Sequence, residues 1–115
     1  MTKPIKMTNA QLKKLYLKFN KRFFDNRLDK DMVVTFEHDL EDEETGQELN
    51  GIQFGDEVIL NESLKLVGMD YISIILLHEM VHADLPDYNP ADIHGPLFQA
   101  KVVRLFEKGA YDGLL

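Results

Sequence analysis

Cysteine is absent from these 115 residues. That removes disulfides, a thiolate nucleophile and every cysteine-ligated metal site, a cysteine zinc ribbon included. Tryptophan is absent as well, and with 4 prolines and 7 glycines the chain contains no linker-like tract. Long apolar runs are missing. The longest spans residues 74–77, far short of the roughly 20 residues a bilayer-spanning helix needs, so no membrane partner is expected. Residues 1–7 hold two lysines with no apolar stretch behind them. No secretory signal is therefore expected, and the expected location is intracellular and cytoplasmic.

What is present suits one domain covering residues 1–115. The hydrophobic fraction of 44% is ordinary for a globular chain. The net charge is −7, unevenly spread. Residues 1–30 hold nine Lys/Arg against two acids, leaving −14 for the remainder. A basic segment of this kind can be a footprint for a polyanion, or one face of a small domain balancing the other. A net-acidic chain lacks the usual balance of a nucleic-acid binder.

Residues 8–25 read as a helix. Thr8 and Gln11 have capping-box spacing. Leu12, Leu15, Tyr16, Phe19 and Phe23 form one apolar stripe, and Asn26 can end the helix in a left-handed conformation. Residues 32–36, 49–54 and 57–60 read as strands, the last two joined by a tight turn at Gly55-Asp56. An antiparallel three-stranded sheet is expected. Residues 39–48 carry six acids and read as a solvated loop or turn. A short helical turn over 61–67 precedes Gly68. Asp70 is then the expected N-cap of a helix over 71–84 whose first half is apolar on nearly every side, hence buried. Pro96 suits the first position of a last helix, stopped by Gly109.

His78-Glu79-Met80-Val81-His82 is an HExxH sequence near the end of the buried helix. Residues i and i+4 share a helical face, so two imidazoles can reach one zinc ion, and the intervening glutamate can reach a water beside it. A catalytic zinc needs a third protein ligand. A metzincin would place a histidine six residues past His82, where Tyr88 stands. Glu107 is an acid in the next helix without a clear geometric reason to reach the site. His94 is the better candidate: it follows a proline-containing loop and precedes Gly95-Pro96, which lets a helix start beside the motif. Tyr88, in the loop between the second and third candidate ligands, is a candidate to stabilise an oxyanion, with simple packing as the other reading. Asp84 and Asp92 are both candidates to hydrogen-bond a ligand imidazole. His38, between two acids, reads as an exposed strand-end residue.

Three blocks in this order resemble the SprT-like metalloproteases, the Spartan type. Residues 15–28 (LYLKFNKRFFDNRL) are similar to the family's opening helix. Ile59-Leu60-Asn61 through LLHEMVHA at residues 76–83 are similar to its strand, connector and zinc helix. HGPLF at residues 94–98 is like its His-Gly-x-x-Phe. The blocks lie within residues 15–106. The resemblance implies one Zn2+ per chain, held by His78, His82 and His94, with Glu79 as the base. It also implies proteins crosslinked to DNA as substrates. The chain departs from the family in lacking the cysteine ribbon and in carrying the acidic run at 39–48.

The expected fold is therefore α+β: a small zincin-like domain with an N-terminal helix, a three-stranded antiparallel sheet, the HExxH helix and a C-terminal helix. The expected activity is zinc-dependent endopeptidase action on a protein bound as an extended strand along residues 52–54. A zinc amidase acting on a non-protein substrate would use the same site. A non-catalytic, zinc-braced protein-binding module is the alternative from another class, and an intact Glu79 argues against it. Lys13, Lys14, Lys18, Lys21 and Arg22 lie off the apolar stripe of the first helix. With so few cations, nucleic-acid binding is expected to be weak or indirect, and the chain to be a monomer.

Overall fold

The computed structural model describes residues 5–85 and 94–114. The first helix, α1 (Asn9–Phe23), opens with both halves of the capping box: the Gln11 amide donates to Thr8 Oγ1 at 3.1 Å and the Thr8 amide to Gln11 Oε1 at 2.9 Å. Leu12, Tyr16, Phe19 and Phe23 of its stripe are buried. The helix stops where Asp25 and Asn26 take φ of +53° and +58°, a conformation that short polar side chains tolerate. Asn20, fully buried, then holds the departing chain by exchanging hydrogen bonds with the Leu28 backbone at 3.0 and 3.1 Å.

Three strands follow: β1 (Val33–Glu37), β2 (Gly51–Phe54) and β3 (Glu57–Asn61). The hairpin β2–β3 is antiparallel, turning at Gly55, whose φ of +57° glycine adopts without the steric cost a Cβ brings. The expected all-antiparallel sheet is corrected at β1, which pairs in parallel with β3, Val34 against Val58 and Phe36 against Leu60. The order is β1-β3-β2 and the sheet is mixed. A parallel pair needs a crossover of roughly a dozen residues or more, and residues 38–56, which contain β2, provide it. Val34, Phe36, Val58 and Leu60 share the buried face, and the sheet is packed by α1 and by the helix over Met69–Ala83.

Part of the acidic segment is ordered by pairing. Glu41 bridges Glu48, the Leu49 amide donates to the Leu40 carbonyl at 2.9 Å, and the Asp42 side chain accepts from the amides of Glu44 and Thr45. The charged groups stay in water while Leu40 is buried, so a solvated turn and an ordered one coincide here.

Asn61 caps a 3-10 turn (Glu62–Leu66), and α2 (Met69–Ala83) begins after Gly68. The expected cap at Asp70 is corrected: Gly68 is the N-cap at φ +128°, and Asp70 sits in the first turn, where a carboxylate still meets free backbone N–H groups. Ile72, Leu76, Leu77, Met80 and Val81 of α2 are fully buried, making it the centre of the core. The last helix, α3 (Pro96–Glu107), has Pro96 at its start and ends ahead of Gly109, at φ +82°. Phe98, Leu105 and the following Ala110 dock it into the same core. No helix among the described residues is long and apolar enough to cross a membrane.

Candidate metal centre

The central helix dictates where the site lies. Its first three turns have apolar neighbours on most sides, so the polar residues of its last turns emerge at the edge of the core. His78 and His82 stand one turn apart there, partly buried. His94, one residue ahead of the Gly95 cap of α3, completes the cluster. Its Nε2 lies 3.3 Å from Nε2 of His78 and 3.2 Å from Nε2 of His82. These are the histidines that the sequence brings forward, and the structure joins all three.

The spacing tests whether zinc fits. Zinc–nitrogen bonds of about 2.0–2.1 Å at tetrahedral angles put neighbouring nitrogens about 3.3–3.4 Å apart. The observed 3.2 and 3.3 Å separations meet that requirement. The donor chemistry agrees. Three ring nitrogens gathered this closely cannot all satisfy one another, since each neutral imidazole carries one N–H, and a cation among them would satisfy their lone pairs. Burial, then the neighbouring imidazoles His82 and His94, push the His78 pKa down to about 4. His82 is likewise lowered, by burial and then by His94. Both rings are thus kept neutral, the form a metal requires. Phe98 packs against all three rings, with centroids at 5.0, 4.6 and 4.8 Å from His78, His82 and His94. It fixes their orientations from the core side.

Glu79 is 6% exposed, and burial pushes its pKa up to about 7. No charged side chain is hydrogen-bonded to it among the described residues, so the carboxylate is poised to exchange a proton near neutral pH.

Asp84, the C-cap of α2, does not serve an imidazole. Its carboxylate accepts from Arg27 Nη2 at 2.7 Å and from Lys101 Nζ at 2.9 Å. Burial raises its pKa, but these two cations outweigh burial and hold it below the ordinary carboxylate value. The bridge joins the segment after α1 to the ends and middle of α2 and α3. Of the other candidates, His38 is exposed and faces Glu62 at 3.9 Å, and Glu107 lies outside the histidine cluster. Tyr88 and Asp92 lie outside the described residues. The structural roles of Asn20 and Asp84 escaped the sequence reading, as did the packing of Phe98 against the three imidazoles, although the motif pattern already set Phe98 in the last helix. The signals available were the acid directly after the helix and an aromatic one turn past His94.

On α1, Lys14, Lys18, Lys21 and Arg22 are exposed, whereas Lys13 donates to the carbonyls of Lys30 and Met32 and is committed to the fold. A cavity of about 310 Å³ opens between Arg27–Asp29, the far end of the β2–β3 hairpin and Ala83–Leu85, just past His82.

The chain thus has a small zincin-like fold whose HExxH helix and following helix assemble a three-histidine site able to hold a metal ion. Comparison with protein-family models, curated proteins and solved structures gives no match.

Proposed function

We propose that this chain is a zinc-dependent endopeptidase of the SprT-like kind. The observation that carries the reading is the approach of His94 Nε2 to Nε2 of both His78 and His82 at zinc-compatible spacing, with the buried Glu79 next to His78 on the same helix. His78, His82 and His94 would hold one Zn2+ per chain. Zinc in such a site supplies a water with a pKa near 7 and polarises a carbonyl. Glu79 takes the proton from the attacking water. Because its burial favours the protonated form, it can return that proton to the departing amine. A structural zinc brace would have no use for a carboxyl kept at the cost of burial with no cationic partner among the described residues, which favours the enzyme over the binding module.

Substrate is proposed to bind as an extended strand along β2. That strand is at the sheet's edge and offers main-chain partners to any sequence. The cavity beside its far end has room for one substrate side chain. Proteins associated with DNA are proposed as substrates, on the SprT-like resemblance and the exposed cations of α1. The acidic remainder of the chain argues for weak or indirect DNA contact, and the working state is proposed to be a cytoplasmic monomer.

The test is cleavage of an unfolded protein by wild type and Glu79→Gln, each loaded with zinc, with and without single-stranded DNA. Cleavage by wild type that is lost in Glu79→Gln supports the reading. A variant turning over at the wild-type rate overturns the role of Glu79. Cleavage of small amides but no protein would assign the site to another amide substrate.

A further inference from the structure

Gly51 opens β2 opposite Leu60. Its φ is not in the left-handed region, so the backbone does not demand glycine there. Space does. A Cβ at this position would stand 3.0 Å from Leu60 Cδ2, 3.1 Å from Ile75 Cγ2 and 3.2 Å from Glu79 Cγ. Ile75 and Glu79 are four residues apart on α2, on one helical face. The helix therefore lies on bare strand backbone where it carries its glutamate, and glycine inside a strand is a known mark of such close approach.

We propose that Gly51 is a positioning residue for Glu79, its missing side chain setting where the carboxylate stands beside the three histidines. The inference rests on the endopeptidase reading above. Of the three neighbours a methyl group would meet, Leu60 is fully buried and cannot retreat without overpacking the core. Ile75 is held by the same helix as His78 and His82. The Glu79 side chain is unbranched and turns freely about its own bonds, so it is the group that yields. None of the three histidines is among the atoms a methyl would meet. The expected consequence is a misplaced base beside an intact metal site.

The experiment uses the full chain carrying Gly51→Ala, and a second variant adding Leu60→Val, which removes the tightest neighbour. Zinc affinity is measured by chelator competition, kcat and KM on an unfolded protein, and the Glu79 position by crystallography of the metal-free chain. Gly51→Ala should keep zinc affinity within about threefold and KM within about twofold. It should lose kcat by about tenfold, given that an ångström of misplacement costs on the order of a hundredfold. The crystal structure should show the carboxylate displaced. Leu60→Val should restore part of kcat, where a purely structural defect would worsen with a second core substitution. An unmoved carboxylate, zinc affinity lost in parallel with activity, or a double variant worse than the single would each overturn the proposal. If wild type cleaves no protein, the endopeptidase reading fails by itself, and the carboxylate position alone decides the role of Gly51.

Discussion

Glu79→Gln should make the metal-free protein more stable at pH 8 and leave it nearly unchanged at pH 4. The glutamate carboxyl ionises near 4.5 in the unfolded chain, while burial holds it protonated up to about 7 in the folded one. Between those values the unfolded state binds fewer protons, so stability falls as pH rises through the window. At about 1.36 kcal/mol per pH unit the loss amounts to roughly 3 kcal/mol once pH exceeds 7. For a domain of this size that is on the order of 10 °C in melting temperature. His78 acts in the opposite direction. Its folded pKa of about 4 lies below the ordinary 6.5, so stability rises with pH between those values. In wild type the His78 and Glu79 slopes offset each other from about 4.5 to 6.5, the lowered His82 adds a rise of its own, and the fall due to Glu79 becomes visible above about 6.5. In Glu79→Gln only the histidine slope remains. Urea denaturation in excess chelator, at several pH values from 4 to 8, reads both curves. Parallel curves for wild type and variant would show that Glu79 ionises normally and that its burial has been misjudged.

His94→Ala should lower zinc affinity by more than the roughly 10–100-fold that loss of an outer-sphere partner costs, as measured by chelator competition; unchanged affinity would remove His94 from the ligand set. Phe98→Ala should cost about 3–5 kcal/mol in urea denaturation, as for other buried aromatics, and weaken zinc binding because it contacts all three rings. Asp84→Ala should cost about 1–2 kcal/mol rather than the larger figure of a fully buried pair, since Arg27 and Lys101 remain 45% and 31% exposed and can rehydrate; a neutral result in the same assay would discount the bridge. The isolated chain should bind labelled DNA weakly and only at low salt; submicromolar binding at physiological salt, lost on reversing Lys14 and Lys18, would contradict that.

The features legible in the sequence are those whose cause is local. The capping box of α1, the i and i+4 histidines of α2, and Pro96 at the head of α3 each follow from neighbours within a turn or two, and each stands where the spacing puts it. The pairing of β1 was not legible. Alternating Val34 and Phe36 show which face is buried, yet a strand's own residues do not say whether its neighbour runs parallel or antiparallel. The start of α2 was displaced for a related reason. Asp70 has the right side chain for a cap, but the backbone at Gly68, with φ beyond the reach of most side chains, begins the helix earlier. Gly51 carried a readable signal, a glycine in a strand pattern, but what approaches it comes from residues 75 and 79, too far along the chain for any local rule.

The division of the site between helices bears on how metal and fold support each other. His78 and His82 ride on α2, whose burial fixes them whether or not a metal is present. His94 rides on the start of α3, which reaches the core through Phe98, Leu105 and the following Ala110, and reaches α2 through the Lys101–Asp84 contact. Two of the three histidines thus belong to the most deeply buried helix, and the third to a segment with fewer anchors. The free energy a metal would gain at three histidines would be spent partly on holding α3 to α2. The same contacts that hold α3 without metal, Phe98 under the rings and Asp84 under Lys101, set how much of that ordering is already in place when the ion arrives. Metal affinity in this fold is therefore governed by packing beneath the histidines as well as by the histidines themselves.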